Sequence, residues 1–141
     1  MRELKFRVWD LEKKFYLNQD DEFHFYEPVC GWQCPIPLCE CLRDKKRYVV
    51  QQYTGLTDSK GNHIYEGDII KEHHFEDWGD KIGYEYIGIV VYKEYSDDIL
   101  YAGYKTIPAK NQNTKFRGNA IQSDCEVIGN IFENPELLKT I

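Results

Sequence analysis

The sequence predicts a small, mainly β protein. In the first segment Leu4, Phe6 and Val8 alternate with Lys5 and Arg7, which is the period-2 pattern of a half-buried strand. Further on, glycine and asparagine stand between short aliphatic runs, where chain reversals need them. Aromatic residues make up 15% of the chain, and flat rings pack well on a pleated surface. Helical periodicity is scarce, so a sheet or small barrel is favoured.

The N-terminal residues predict a β-hairpin. The first strand reaches Trp9, residues 10–14 form a polar reversal, and residues 15–17 return as the second strand. Three prolines then make residues 27–38 an irregular loop, because proline cannot donate to a strand ladder. We therefore predict an N-terminal unit over residues 1–46 with a hairpin and a Cys/Pro-containing loop, and a barrel over residues 47–141.

The second part of the chain predicts several strands and two tight turns. Gly55 is expected to end the first strand, and Asp58 is expected to bond its own backbone in the turn over residues 58–62. Gly67 marks the other bend, and Asn134 with Pro135 begins a short C-terminal helix. The strands are predicted at residues 47–54, 69–74, 84–95, 99–104 and 126–132. The strands at 84–95 and 99–104 form a hairpin across residues 96–98. A long polar connection over residues 107–118 follows, and one short strand lies within residues 115–122.

Four ordered blocks carry a family resemblance. They are MRELKFRVWD at residues 1–10, QYTGL at 52–56, YEGDII at 65–70 and CEVIGNIFENPELL at 125–138. Together they resemble the YopX family of phage and prophage proteins. The resemblance implies an SH3-type β-barrel and supplies no catalytic residues.

Composition limits the location and the partners of the chain. The 141 residues fit one domain with a small appendage. No apolar run reaches the roughly 18 residues that a membrane helix needs, and the first residues lack a signal-peptide pattern, so we expect a cytoplasmic protein without membrane contact. Twenty-four acidic residues against eighteen basic ones give a formal charge of −6, which disfavours nucleic acid.

Four cysteines, Cys30, Cys34, Cys39 and Cys41, form the densest group of potential metal ligands. Structural zinc sites usually begin with two cysteines separated by two residues, whereas the intervals here are three residues and one. An irregular site remains an alternative, but buried or free thiols fit the spacing better. We predict no metal ligand and no cofactor, and we place Cys125 in the core.

The remaining chemical candidates are weak. His73 and His74 are adjacent on a predicted strand, so their side chains point to opposite faces. Glu66 and Asp68 flank Gly67, and Asp68 is expected to bond backbone amides in the bend. A calcium loop starting at Asp58 lacks the required glycine and final glutamate. Phosphate-binding and nucleophile motifs are absent from the sequence, and we predict no catalytic residue.

Three functions compete on this evidence. The first is a protein-interaction module that presents a groove or strand edge to a host protein, a phage protein or a second copy of the chain. The alternative is a nucleic-acid-associated phage accessory protein, with basic residues 43–47 contacting phosphates while Tyr48 and Tyr53 stack on bases. The third is an enzyme of unknown reaction, for which Glu66, Asp68 and the histidines are the candidates.

Overall fold

The computed structural model describes residues 4–19, 23–28, 35–74, 79, 84–93, 103–108, 119–121 and 124–138. The chain divides into two compact units, Met1–Tyr53 and Thr54–Ile141. The division lies inside one long strand, while our predicted boundary stands after residue 46. None of the described helices has the length and hydrophobicity needed to cross a membrane.

Unit 1 contains the predicted N-terminal hairpin. β1 (Phe6–Asp10) pairs antiparallel with β2 (Phe15–Tyr16), and residues 11–14 make the turn between them. The other edge of β1 pairs with the first residues of β6 (Tyr48–Thr57), so that Val8 lies opposite Val50. β6 continues through Gly55, which has φ of +88°, and the prediction that the strand ends there is wrong.

A second small sheet in unit 1 replaces part of the predicted irregular loop. β3 (Asn18–Gln19) pairs with β4 (His24–Tyr26), and β4 pairs with β5 (Ile36–Pro37). The six-residue helix α1 (Leu38–Arg43) follows directly, with Pro37 in the extended conformation at its N-cap. Proline has no N–H to lose at a helix start, so Pro37 permits the helix that we did not predict.

The core of unit 1 joins the hairpin, the small sheet and α1. Val8 and Phe25 are fully buried, and Cys41 on α1 packs in the same cluster. Leu38 and Ile36 lie against it. Leu4 was expected on the buried face, but its residue surface is 57% exposed, because β1 begins only at Phe6.

Unit 2 contains a curled five-stranded antiparallel sheet. Its strands, in spatial order, are β11 (Asn119–Ala120), β10 (Gly103–Pro108), β9 (Tyr84–Lys93), β8 (Asp68–His74) and β12 (Glu126–Asn130). The middle strand β9 pairs with β8 on one side and with β10 on the other. β10 extends to Pro108, into the segment that we predicted as a polar connection. β9 and β10 pair antiparallel, as the predicted hairpin requires, and its turn at residues 96–98 lies outside the described residues. The short strand β7 (His63–Tyr65) precedes β8 and lies beside β6.

The core of unit 2 joins residues of β7, β8 and β9 with Cys125. Ile64, Ile70 and Cys125 are completely buried, and Val90 is 1% exposed. The core position predicted for Cys125 is therefore confirmed. Burial raises the pKa of its thiol to about 11, so Cys125 is a neutral packing residue at physiological pH.

The last described residues form a compact corner. Asn134 Oδ1 accepts a hydrogen bond from the Asn130 N–H at 3.2 Å, and Pro135–Leu138 form one 3-10 turn. A Cβ placed on Gly129 would lie 2.6 Å from Asn134 Oδ1, so glycine leaves room for this side chain. The predicted short C-terminal helix stays a prediction, because the described residues form only this single 3-10 turn and residues 139–141 lie outside them.

Gly67 occupies the predicted bend with φ of +81°. It is buried, its N–H donates to the Val90 carbonyl at 2.8 Å, and its carbonyl accepts from the Ile131 N–H at 3.0 Å. Gly67→Val is expected to lower the free energy of unfolding by about 1–3 kcal/mol, because a branched side chain is strained at positive φ. Thermal or urea unfolding measures the effect.

Gly61→Val provides the control for Gly67→Val. Gly61 has φ of +85°, but it is exposed and nothing lies within 4 Å of an added Cβ. Its turn can therefore relax, and we expect a smaller loss. A Gly67→Val protein that melts at the wild-type temperature contradicts the importance of this bend.

Candidate interaction site

The candidate site begins at α1 and the turn that follows it. Leu42 on α1 is 49% exposed, although it lies next to the fully buried Cys41. The following turn closes with hydrogen bonds from the N–H groups of Arg47 and Tyr48 to the Asp44 carbonyl, at 3.2 and 3.0 Å. This turn carries the chain from the helix into β6 and exposes three basic side chains, those of Arg43, Lys45 and Lys46.

A groove of about 290 Å³ lies between α1, the turn and β6. Its buried residues are Cys41 and Tyr48, which are 0% and 8% exposed. The remaining lining residues are Leu42, Lys45, Val49 and Val50. The Lys45 ammonium is the charged group among these residues, so the groove combines an apolar surface with one positive side chain.

The groove follows the edge of β6. Val49 and Val50 are consecutive strand residues, whose side chains point to opposite faces of the sheet. A cavity that touches both residues therefore runs along the strand edge. β1 pairs with the opposite edge of residues 48–52, and the three-residue β7 follows the turn over residues 58–62, next to the last part of β6. In the part of the chain that the structure describes, no strand register covers the groove edge at residues 48–50.

Arg47 does not contribute to the exposed basic group. Its guanidinium donates to Asp10 Oδ2 from Nη2 at 3.2 Å, and it also approaches Glu27 at 3.5 Å. This hydrogen bond to Asp10 raises the pKa of Arg47. Burial raises the pKa of Asp10, but hydrogen bonds from Arg47 and from the N–H groups of Lys13 and Glu12 outweigh burial and lower the pKa overall. Arg47 thus stabilises the hairpin of unit 1.

The aromatic surface that the nucleic-acid alternative requires is not available at Tyr48 and Tyr53. Tyr48 and Tyr53, proposed to stack on bases, are only 8% and 5% exposed. Tyr48 packs in the core cluster of unit 1, and the Arg47 guanidinium lies 5.2 Å from the centre of its ring. The exposed surface at this place therefore has basic side chains beside aliphatic ones, without either tyrosine ring available for stacking.

The cysteines are only partly described. Cys39 is exposed and Cys41 is buried on α1, while Cys30 and Cys34 lie outside the described residues. Burial raises the pKa of Cys41 to about 11, which keeps this thiol protonated at physiological pH. The absence of a metal at the four-cysteine group stays a prediction.

The other candidates predicted from sequence have structural roles or lie at the edge of the described chain. Asp68 accepts the Tyr65 N–H at 2.8 Å, as expected, and Asp58 accepts the Lys60 N–H at 3.0 Å. β8 includes both His73 and His74. Near these histidines, the acidic residues Glu76, Asp77 and Asp80 lie outside the described residues.

Sequence reasoning missed two residues that the structure makes important. Leu42 was assigned no role, although it stands four residues after Leu38, a spacing that places both on one helix face. Glu72 was assigned to an extended segment, and nothing in its sequence neighbours indicated that this residue is only 3% exposed. Burial of Glu72 depends on β10 and on the chain before β12, which are distant in sequence.

The described residues define a two-unit, mainly β protein with an apolar groove beside a strand edge. The family model described as YopX protein matches residues 5–139, and the chain belongs to the YopX family. A search of curated proteins finds no match. Protein EF1440 from Enterococcus faecalis has a similar crystal structure, with a TM-score of 0.52 and 23% sequence identity over 98% of this chain and 99% of that chain. At this identity the likeness concerns the fold alone.

Proposed function

We propose that this chain is a cytoplasmic, phage- or prophage-derived protein-interaction module. The observation that carries the proposal is the apolar groove beside residues 48–50 of β6, where the described residues form no second strand pairing, with Leu42 exposed next to it. An extended peptide can add to such an edge through main-chain hydrogen bonds and place a side chain in the groove. The curled sheet of unit 2 supports an SH3-type barrel as the complete form of that unit.

The proposed occupant is an extended segment of a host or phage protein that has one large apolar side chain and flanking carboxylates. Residues 43–46 carry three positive charges and one negative charge, whereas the whole chain carries −6. An acidic segment is therefore attracted to this place and repelled by much of the remaining surface. Leu42, Val49 and Val50 supply the apolar contact.

Because of the same basic residues, a nucleic-acid accessory role is the second candidate function. Arg43, Lys45 and Lys46 are exposed and can contact phosphates. Three cations make few phosphate contacts, and the aliphatic groove gives a nucleotide base no aromatic surface for stacking. An acidic apolar peptide uses both the charge and the groove, which favours the peptide.

Selection from a displayed library of random short peptides tests the proposal. We expect the selected peptides to share a Leu, Ile or Phe flanked by Asp or Glu. Leu42→Asp is expected to weaken their binding about tenfold or more, because it removes an apolar contact and repels the peptide carboxylates. Added salt is expected to weaken binding to the wild type. Fluorescence polarisation with a labelled peptide measures both effects.

Leu56→Asp is the matched control. Leu56 is 45% exposed and belongs to unit 2, so the same substitution there adds the same charge outside the groove. It should leave peptide binding unchanged. Equal losses in the two variants contradict the proposed site, as does a self-association of the chain that Leu42→Asp abolishes. Submicromolar binding to an oligonucleotide that depends on Lys45 and Lys46 supports the second candidate instead.

A further inference from the structure

A second site is built around Glu72 in unit 2. Glu72 is on β8, and its residue surface is only 3% exposed. Its side chain is hydrogen-bonded with Thr106 on β10. Within the part of the chain that the structure describes, Glu72 Oε1 is buried and has no hydrogen-bond partner. An unsatisfied buried carboxylate oxygen is costly, and each such oxygen calls for an explanation.

Glu72 lines a cavity of about 160 Å³. This volume is about ten times the space that one water molecule needs, so a group of several heavy atoms can enter. β12 pairs with β8 only as far as Lys71, which leaves the cavity at the strand edge beyond that pair. The other lining residues are Ser59, Lys71, His73, Glu85, Asp124 and Glu126.

Two of the four carboxylates at this cavity are already paired. Glu126 lies 2.7 Å from the Lys60 ammonium, and Glu85 lies 3.7 Å from that of Lys71. Within the described part of the chain, Glu72 and the exposed Asp124 have no basic partner, and their negative charges repel each other. Among the described residues, the lining of the cavity therefore carries an excess of negative charge at Glu72 and Asp124.

We propose that this cavity binds the guanidinium group of an arginine side chain from a partner. The guanidinium would donate to the carboxylate of Glu72 and neutralise the repulsion between Glu72 and Asp124. Its planar array of N–H donors matches a carboxylate in a two-point contact, and it is more weakly hydrated than an ammonium group. An arginine therefore enters a buried carboxylate site at lower desolvation cost than a lysine.

A metal ion fits these residues less well. The described residues include no group of three or more His, Cys, Asp and Glu side chains placed to hold one. A guanidinium needs two hydrogen-bond acceptors and no closed coordination shell. This inference rests on unit 2 alone and is independent of the groove in unit 1.

Titration with N-acetyl-L-argininamide, followed by the amide NMR signals of the full chain, tests the inference. We expect saturable shifts at residues around the cavity, weaker binding of N-acetyl-L-lysinamide and no binding of the neutral N-acetyl-L-citrullinamide. Glu72→Gln should weaken argininamide binding about tenfold or more, as expected for a charged pair in a largely buried site. Glu136→Gln, which makes the same charge change in unit 2 outside the cavity, should leave binding unchanged.

The pH dependence of argininamide binding distinguishes a binding role of Glu72 from a merely structural one. Burial raises the pKa of Glu72 to about 7, and Asp124 adds to this increase. Because the guanidinium prefers the ionised carboxylate, its affinity should rise about tenfold from pH 6 to pH 8. Binding that is independent of pH, equal for lysinamide, or unchanged in a folded Glu72→Gln protein overturns the inference.

Discussion

Replacing Asp58 by alanine is expected to lower the free energy of unfolding by about 3–4 kcal/mol. Asp58 is 5% exposed and accepts four hydrogen bonds. Its Oδ1 accepts from the N–H groups of Lys60 and Asn62 at 3.0 and 2.8 Å, and its Oδ2 accepts from the Val127 N–H at 3.0 Å and the Asn62 side chain at 3.2 Å. One carboxylate thus connects the turn to the start of β12. Urea unfolding measures the loss.

Asn62→Ala is the control for Asp58→Ala. It removes only the side-chain hydrogen bond at 3.2 Å and should cost about 1 kcal/mol or less. Burial raises the pKa of Asp58, but the four hydrogen bonds outweigh burial and lower the pKa overall. The stabilisation is therefore present at neutral pH and is lost as pH falls through the lowered pKa. A loss in Asp58→Ala no larger than in Asn62→Ala would contradict this role.

Glu72→Gln is expected to stabilise the protein at pH 8 by about 3 kcal/mol. The pKa of Glu72 rises from an ordinary 4.5 to about 7, because burial disfavours its ionised form. Between these values the folded chain keeps a proton that the unfolded chain has released. Wild-type stability therefore falls as pH rises from about 4.5 to 7 and is constant with respect to this group at higher pH.

The variant removes this pH dependence, because glutamine does not ionise. The two proteins should have equal stability near pH 4 and differ most above pH 7. Glu85→Gln is the matched control: its partner Lys71 lies 3.7 Å away at the surface, so we expect an effect within about 0.5 kcal/mol at all pH values. Tyr86, opposite Glu72 on β9, and Asp124 remain in both variants. A Glu72→Gln protein less stable than the wild type at pH 8 would show that the carboxylate is satisfied.

Local chemistry explains which parts of the fold could be predicted. The hairpin of β1 and β2 follows from alternation within a few residues, and the turns at Asp58 and Gly67 follow from side chains that bond or permit their own backbone. Helix α1 was missed because six residues after two prolines give too short a pattern, and its stability comes from packing Cys41 against Phe25 and Val8. Such packing depends on distant residues.

The same distinction applies to the candidate sites. The basic residues 43–47 were visible in the sequence, but their separation into an exposed group and an Arg47 that is paired with Asp10 depends on the position of Asp10 on β1. The nucleic-acid alternative required Tyr48 at the surface, and the burial of this residue likewise depends on packing against residues that are distant in the sequence. Glu72 stands between Lys71 and His73 like any polar strand residue, and its burial appears only when β10 and Cys125 are in place.

Amide NMR with a selected acidic apolar peptide shows whether the groove in unit 1 is the binding site. We expect the largest shifts at Leu42, Lys45, Val49 and Val50, and we expect the N–H groups along the groove edge of β6 to gain protection from hydrogen exchange as the peptide pairs with the strand. Shifts confined to unit 2, or bound peptide that leaves residues 48–50 unchanged, would contradict the proposed site.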